Sequence, residues 1–456
     1  MRAHKLLLVF FISLTIGLPG ICRTCASAAG RPGTAERNIQ ERVQSIKDQI
    51  EKNYSYLESL YKDLHAHPEL SLQEEKTAAR LAREMKEVGF EVTPNVGGHG
   101  LVCILRNGDG PTVLVRTDLD ALPVVEQTGL PYASKSRARD KNGNDVGVMH
   151  ACGHDMHMTC WVGTAKTLAA MKESWHGTLI FIGQPAEESG AGARTMLEDG
   201  LFKRFPKPDY GLALHCDHRS PYGTISYTDG LALANVDSVD ITIHGKGGHG
   251  AAPHTTVDPI VLAARVILDL QTIVSRETNP TDPCVVTVGS IHGGTKHNII
   301  PAEVKMQITV RSTKDSVRAH TLAAIERFTK AAAQAAGAPE PTVRVDPGEF
   351  TPALLNDRDL TRKTVALFKD VLGPDKVLER PPIMGGEDFS RYGREGVPIF
   401  MYFLGTVLPE RVAESEREGA RPLPSLHSDL YYPVPEPSIR TGVLTMSAAV
   451  LNLVGK

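Results

Sequence analysis

The residues best suited to chemistry lie in two short segments of the first half of the chain. Residues 150–157 read HACGHDMH, so that the thiol of Cys152 and the imidazole of His154 lie close together. Farther along, the adjacent acids Glu187 and Glu188 follow an apolar run. One glutamate can ligate a metal ion while its neighbour transfers protons. Taken together, the two segments indicate metal-assisted hydrolysis.

The composition is that of a soluble protein with more than one domain. The chain has 456 residues, of which 41% are hydrophobic and 23% are charged. At roughly 150 residues per domain, this length predicts two or three domains. The formal net charge is −3, and the sequence has no basic arm. No nucleic-acid partner is therefore expected.

The N-terminal segment has the pattern of a secretory signal peptide. Arg2 and Lys5 precede the apolar run 6–21, and the small residues 26–28 supply a cleavage site. We therefore predict a signal peptide over residues 1–28 and an exported protein, periplasmic or secreted. An uncleaved membrane anchor is the alternative, but the run is short for a spanning helix. No stable membrane insertion is expected after cleavage.

Helix and strand patterns alternate along most of the chain, which is typical of an α/β fold. We predict a catalytic domain with a mixed sheet flanked by helices, formed by residues 36–232 and 350–456. The pattern changes near residue 233. The elements there follow the order β-α-β-β-α-β, with strands at 236–244, 284–291, 304–311 and 341–345 and helices at 257–276 and 315–336. This order predicts an inserted ferredoxin-like α+β lid domain over 233–349.

Further residues that could bind metal follow predicted strands. Asp118 and Asp120 come directly after the apolar strand 112–115, and His215 ends another apolar run. His427 lies shortly before the last predicted helix. Ligands of open α/β sheets collect beyond the carboxyl ends of the strands. We therefore expect these side chains to meet Cys152, His154 and the two glutamates at one edge of the sheet.

Five motifs resemble one known family. They are RTDLDALP at 116–123, HACGHDMH at 150–157, QPAEE at 184–188, GHGAAPH at 248–254 and GGEDF at 385–389. The chain resembles the aminoacylase/carboxypeptidase metallopeptidase family from about residue 45 to the C-terminus. It is most similar to the amidohydrolase branch, which includes hippurate hydrolases and plant auxin-conjugate hydrolases. The Cys-Gly-His-Asp and Pro-Ala-Glu-Glu motifs are specific for that branch.

The resemblance implies a role for each residue of the centre. It implies one or two divalent metal ions per subunit, with zinc first and Mn, Co or Ni as alternatives. Glu187 would be the general base, and Asp120 would orient a ligand. The wider family has a ligand histidine where this chain has Asp118, which leaves open how fully each of two metal sites is built. The implied metal ligands are Cys152, His154, Glu188, His215 and His427.

The resemblance also assigns roles within the lid. His249 would reach the active site of the other subunit of a homodimer formed through the lid and stabilise an oxyanion there. Asn298 and Arg311 would hold the carboxylate or carbonyl of the substrate. The expected function is hydrolysis of the amide bond of a small N-acyl amino acid or short peptide. An exo-dipeptidase or carboxypeptidase of the same family and a non-catalytic extracytoplasmic binding protein are the alternatives.

Overall fold

The computed structural model describes residues 34–455, with side chains from residue 39 onward. The predicted signal peptide lies outside the described residues. Within the described part of the chain, no helix is both long enough and apolar enough to cross a membrane.

Helices and strands alternate through most of residues 34–455. The α-helices are α1 (Thr34–Ala66), α2 (Glu75–Glu87), α3 (His154–Ala170), α4 (Gly192–Glu198), α5 (Leu201–Arg204), α6 (Pro259–Thr272), α7 (Asp315–Ala335), α8 (Arg358–Leu372), α9 (Ser390–Arg394), α10 (Pro409–Ser415) and α11 (Pro435–Val454).

The strands of the first half are β1 (Glu91–Pro94), β2 (Leu101–Asn107), β3 (Thr112–Asp118), β4 (Arg137–Arg139), β5 (Asp145–Gly147), β6 (Gly177–Gln184), β7 (Tyr210–Pro221), β8 (Ile225–Tyr227) and β9 (Leu231–Leu233). Those of the second half are β10 (Asn235–His244), β11 (Gly248–His249), β12 (Cys284–His292), β13 (Ile299–Ile300), β14 (Glu303–Ser312), β15 (Thr342–Val345), β16 (Leu354–Leu355), β17 (Val377–Glu379) and β18 (Ile399–Val407).

The larger sheet has eight strands in the order β1-β2-β6-β3-β7-β18-β8-β17. Its centre is parallel, because β6, β3, β7 and β18 run in the same direction, while β1 and β2 add an antiparallel edge. Alternate residues of β3 face opposite layers. Val113 and Val115 pack under α1, α3 and α11, and Leu114 packs against α4, α5 and α9. The predicted mixed sheet flanked by helices is confirmed.

The smaller sheet has four antiparallel strands in the order β12-β14-β10-β15, with α6 and α7 packed on one face. Val239, Ile241 and Ile243 of β10 point into this second core, while Asp240 between them is exposed. That alternation has the period of a strand with one covered face. The chain order β10-α6-β12-β14-α7-β15 is the predicted ferredoxin-like order, and its strands lie within residues 235–345.

Candidate metal centre

The centre forms where neighbouring strands of the large sheet stop pairing. The ladder between β3 and β7 ends at Arg116 and Ala213, whereas β7 continues to Pro221. His215 therefore lies within β7, and the prediction that the strand ends at this residue is wrong. The His215 imidazole lies where β3 and β7 no longer pair, although both strands continue beyond that point.

Helix α3 begins at His154, directly after Cys152 and Gly153. Gly153 has φ +81°, a left-handed conformation that glycine adopts without steric cost, and a Cβ there would lie 2.9 Å from the Cys216 sulfur. The sharp turn at Gly153 brings Cys152 and His154 to the end of the sheet together. The helical pattern of the sequence alone predicts a start at Met158, four residues after the observed start.

The five ligand candidates meet at this place. Cys152 Sγ lies 3.5 Å from His215 Nε2, and His427 Nε2 lies 3.4 Å from Glu188 Oε2. His154 Nε2 is 3.8 Å from Glu188 Oε1. The ligand atoms of Cys152, His154 and His215 lie within 4.8 Å of one another, as do those of Cys152, Glu188 and His427. Two overlapping donor groups that share Cys152 are what a pair of cations needs.

The donors fit a divalent cation chemically. His154 Nε2 and Glu188 Oε1 are buried and have no hydrogen-bond partner among the described residues, which is costly unless another group satisfies them. Burial and the carboxylates of Glu188 and Glu187 raise the pKa of the Cys152 thiol well above its usual range. The thiolate therefore needs a positive charge beside it, and a thiolate with imidazoles and a carboxylate suits zinc.

Backbone carbonyls orient two of the imidazoles. His154 Nδ1 donates to the Asp120 carbonyl at 2.7 Å, and His215 Nδ1 donates to the Cys216 carbonyl at 2.8 Å. Each ring therefore carries its proton on Nδ1 and presents the lone pair of Nε2 to the centre. Partners of this kind fix the tautomer and the direction of a ligating histidine.

His157 is close to the centre but is not available as a ligand. Its Nε2 accepts the Cys216 backbone N–H at 2.8 Å, so that its Nδ1 carries the proton and donates to Asp118 Oδ1 at 2.7 Å. Both ring nitrogens are thus engaged. His157 therefore orients the Asp118 carboxylate.

Asp118 is held in its ionised form by the groups around it. Burial opposes its ionisation, but His154, His157 and Arg116 outweigh burial and hold the pKa of Asp118 well below its usual range. Its Oδ2 accepts Arg116 Nη1 at 2.8 Å and lies 3.6 Å from His154 Nε2. Asp118 therefore brings a negative charge to the edge of the centre.

Glu187 lies beside the ligands, with a carboxylate oxygen within 4.8 Å of ligand atoms of His154 and Glu188. Burial, then the carboxylates of Glu387 and Glu188, raise the pKa of Glu187 well above its usual range. The ligand atoms of Glu187, Glu387 and Asp388 lie within 4.8 Å of one another. A buried carboxylate with carboxylate neighbours binds a proton readily, which is the property that a general base needs.

Two buried acids hold the turn that carries the glutamate pair. Glu74 Oε1 accepts the Ala186 N–H at 2.8 Å, and Asp120 Oδ2 accepts the Glu188 N–H at 3.0 Å. The amides on either side of Glu187 are therefore both bound. Ala186 has φ +52°, a strained conformation for a residue with a Cβ. These two hydrogen bonds fix the backbone around Glu187, which explains how the adjacent side chains of Glu187 and Glu188 come to point in different directions.

A cavity of about 1290 Å³ opens in front of the centre, between the two sheets. Cys152, Glu187 and His427 line it on the side of the large sheet, and Arg311 of β14 lines it on the side of the small sheet. Burial lowers the pKa of Arg311. Arg311 Nε donates to Thr309 Oγ1 at 3.1 Å, and within residues 39–455 the guanidinium has no ion pair. It is therefore a cation facing the cavity without an anionic partner.

His249 and Asn298 lie elsewhere. Both are exposed on the smaller domain, and neither lines the cavity of its own chain. They are neighbours in space, because β11 pairs with β13 and the Gly250 N–H donates to the Asn298 carbonyl at 2.8 Å. The structure thus brings His249 and Asn298 together and leaves them apart from the metal ligands.

Sequence reasoning did not assign a role to the buried cation of the site. Arg116 donates to Gln184, Asp118, Glu387 and Asp388 at 2.8 to 3.2 Å. In the sequence, Arg116 and the GGEDF motif stand out only as parts of the family resemblance. Glu74 and His157 were also missed. Their signal is weak, because a single acid or histidine near a motif is more often a solvated or packed side chain than a functional one.

A fold with a metal-binding centre at the end of a mixed sheet and a lid over it defines a class of metal-dependent hydrolases. The sequence profile of peptidase family M20/M25/M40 matches residues 114–426. The chain belongs to this family. It is therefore a hydrolase of amide bonds from a metal-binding family.

Individual relatives agree with this family. The chain is 33% identical to thermostable carboxypeptidase 2 of Saccharolobus solfataricus, over 80% of this chain and 89% of the relative. It is 35% identical to hippurate hydrolase of Campylobacter jejuni, over 73% of this chain and 84% of that relative. The crystal structure of a Bacillus subtilis protein described as a dinuclear metal binding peptidase from the M20 family superposes with a TM-score of 0.69, at 29% identity, over 89% of this chain and all of that one.

Proposed function

We propose that the protein is an N-acyl amino acid amidohydrolase that uses two divalent cations and Glu187 as general base. One observation carries the proposal. Five ligand-type side chains, far apart in the sequence, converge within coordination reach, and the half-buried carboxylate of Glu187 lies among them, within 4.8 Å of ligand atoms of His154 and Glu188. A hippurate hydrolase among the relatives supports this choice of substrate.

Cys152, His154, Glu188, His215 and His427 would hold the metal. When bound, divalent cations make water acidic enough to react near neutral pH and polarise the scissile carbonyl. We propose zinc, because Cys152 contributes a sulfur, with Mn, Co and Ni as alternatives. Metal analysis of protein purified without chelator identifies the ion.

Glu187 accepts a proton from the attacking water and then delivers it to the nitrogen of the leaving amino acid. The hydrogen-bonded amides of Ala186 and Glu188 hold the Glu187 carboxylate at the cavity wall during both proton transfers. Arg311 binds the carboxylate of the substrate, because its planar guanidinium matches both oxygens and has no other anion to bind. This contact orients the amide with its carbonyl toward the centre.

Replacing Glu187 with glutamine tests the proposal. Glu187→Gln is expected to keep the metal and to lower kcat about 100- to 10,000-fold on N-benzoyl-glycine or another accepted N-acyl amino acid. Glu188→Gln is the matched control, since it removes the neighbouring carboxylate and is expected to lose metal as well. Wild-type turnover by a fully metallated Glu187→Gln protein would refute the mechanism.

An exo-dipeptidase or carboxypeptidase is the second candidate, which the thermostable carboxypeptidase among the relatives favours. Arg311 would bind the C-terminal carboxylate of a peptide equally well. A panel that pairs N-benzoyl-glycine with dipeptides ending in glycine separates the two. Faster cleavage of the dipeptides would make the protein a peptidase.

We also propose a homodimer formed through the smaller domain. Val261 and Leu268 of α6 are 67% and 71% exposed, and β12 is an edge strand. In such a dimer, His249 and Asn298 would complete the partner's active site, where His249 stabilises the oxyanion. Leu268→Glu is expected to give monomers in analytical ultracentrifugation and to lower activity. A dimer that survives this change at full activity would contradict the proposal.

Export remains a proposal as well, based on residues 1–28 alone. It predicts a mature protein that lacks this segment outside the cytoplasm. Mass spectrometry of the N-terminus after cell fractionation decides it, and an intact N-terminus on cytoplasmic protein would refute it.

A further inference from the structure

One wall of the cavity carries positive charge that the proposed reaction does not use. Beyond His215, strand β7 continues through Asp217 to Arg219, and Arg380 follows β17 on the same side. Arg380 Nη1 lies 3.3 Å from Asp217 Oδ2, and Arg219 Nε lies 3.6 Å from Asp217 Oδ1. Two guanidinium groups thus share one carboxylate, so that the wall keeps a net positive charge.

This charge lies close to the centre. Phe403 pairs with His215 across β18 and β7, and the two rings are 6.1 Å apart between centroids. The Arg380 guanidinium is stacked on the Phe403 ring, 3.9 Å from its centroid. Stacking on an aromatic face holds the plane of an arginine. Arg380 is therefore a fixed cation a short distance from a metal ligand.

The ion pair with Asp217 does not by itself account for Arg380. Asp217 also accepts the Arg219 backbone N–H at 3.1 Å and Ser220 Oγ at 2.7 Å, so that its oxygens have partners without Arg380. The Arg380 side chain is only 12% exposed and makes a single side-chain hydrogen bond within residues 39–455, to Asp217. Four of its five N–H groups remain for a ligand.

The cavity has more cations than a substrate with one carboxylate would need. An N-acyl derivative of glycine has one carboxylate, and Arg311 on the opposite wall accounts for it. A second, separate cation is then left facing the cavity at Arg380. Arg380 and Arg219 share the single carboxylate of Asp217, so an anion supplied by the substrate would balance the second guanidinium.

We propose that Arg380, with Arg219 and Phe403, forms a subsite for a second carboxylate, so that the preferred substrates are dianionic N-acyl amino acids. The inference rests on the proposed function and names its substrate class. The second carboxylate belongs either to the side chain of the amino acid or to a dicarboxylic acyl group. In both cases the arginine fork binds it, and the apolar Ile383 and Met384 beside it in the cavity contact the methylene groups.

Two pairs of substrates that differ only in charge test the subsite. N-acetyl-glutamate against N-acetyl-glutamine places the acid on the amino acid side, and N-succinyl-alanine against N-succinamoyl-alanine places it on the acyl side. For wild-type protein loaded with metal, kcat/KM is expected to be about 10- to 100-fold higher for the acid of one pair. The pair that shows the preference identifies the side.

Arg380→Met keeps the apolar stem on Phe403 and removes the charge. It is expected to lower the acid-to-amide ratio to about one while leaving kcat/KM for the amide within a few-fold. Arg137→Met is the matched control, because Arg137 is an exposed arginine that is ion-paired with Asp145 and lies outside the cavity lining. Its acid-to-amide ratio is expected to equal that of the wild type.

Product inhibition gives a reading that needs no variant. Wild-type protein is expected to be inhibited at least tenfold more strongly by glutamate than by glutamine, or by succinate than by succinamate. Equal rates and equal inhibition within both pairs would overturn the subsite, and so would an acid preference that survives in Arg380→Met. Turnover of no N-acyl amino acid at all would instead refute the proposed function, and the subsite with it.

Discussion

Replacing Glu74 with glutamine is expected to stabilise the protein, and to do so more strongly as the pH rises. Glu74 is fully buried, and its Oε1 accepts the backbone N–H groups of Leu72 at 2.9 Å and Ala186 at 2.8 Å. Its Oε2 has no hydrogen-bond partner among the described residues, and neither has Oδ1 of Asp120. Burial, then the charge of Asp120, raise the pKa of Glu74 from 4.5 to about 8.

The magnitude follows from this difference in pKa. An acid with a higher pKa in the folded state binds more protons there than in the unfolded state. The ionisation of Glu74 therefore costs the protein no stability below pH 4.5, and this cost grows as the pH rises toward 8. At about 1.4 kcal/mol per pKa unit, the loss for Glu74 is about 1 kcal/mol at pH 5 and about 3 kcal/mol at pH 7. Glutamine keeps the acceptor for both amides and has no proton to lose, so the variant escapes this loss.

Urea unfolding at pH 5, 6, 7 and 8, at equal metal loading, measures the effect. The free energy of unfolding of Glu74→Gln minus that of the wild type is expected to rise by about 1.4 kcal/mol per pH unit up to pH 7. Glu75→Gln, at the exposed neighbouring position, is expected to show no such slope. If the difference in free energy of unfolding stayed constant with pH, or fell as the pH rose, the conclusion that Glu74 is a neutral carboxyl in the folded protein would be refuted.

Glu74→Ala completes the test. It leaves the buried amides of Leu72 and Ala186 without an acceptor, at a cost of about 1–3 kcal/mol for each. Because Ala186 directly precedes Glu187, the proposed general base, kcat is expected to fall while KM for an N-acyl amino acid stays nearly constant. Glu74→Gln is expected to retain kcat. An equal loss of kcat in both variants would contradict a role based on hydrogen bonding.

Three further outcomes are expected. Asp120→Asn should weaken metal binding about 10- to 100-fold, measured by competition with a chelating dye, because it removes the carboxylate charge that accepts the Glu188 amide and lies 3.5 Å from His154 Nδ1. Burial disfavours the His65 imidazolium, but Asp155 and Glu126 outweigh burial and raise the pKa of His65 to about 9. His65→Gln should therefore destabilise the protein by about 3 kcal/mol below pH 6.5, and the difference should shrink as the pH rises from 6.5 to about 9. Dialysis against a chelator should abolish activity and lower the melting temperature, and added cation should restore both. Unchanged dye competition, a pH-independent His65 effect or an active chelated protein would contradict the respective prediction.

The sequence was most informative where chemistry and local pattern coincide. Cys152, His154 and the glutamate pair stand out because metal-capable residues follow apolar runs within a few positions. The alternation around Ile241 predicted a strand with one covered face, as observed. His215 shows the limit of such reasoning. Its residue type and approximate position were clear, but the open space beside it depends on where β3 stops pairing with β7, a contact between segments about a hundred residues apart.

Features built from single residues on distant segments could not be predicted. Arg116 reaches Asp388, 272 positions along the chain, only because β3 lies in the middle of the sheet. Arg380 belongs to no motif. Its proposed role depends on its stacking on Phe403, which lies next to the proposed metal ligand His215. Long-range pairing decides such contacts, and local hydrophobic pattern carries little information about it.

The centre is organised by contacts in which no cation takes part. His154 and His215 are oriented by backbone carbonyls, and Glu188 is held through its own amide. The cost of fixing these ligands is therefore met when the surrounding sheet folds, unlike in zinc fingers, where metal binding itself drives folding. It follows that the metal-free protein should stay folded with its ligands in place. The same preorganisation lets the cation act on the substrate without first rearranging the protein.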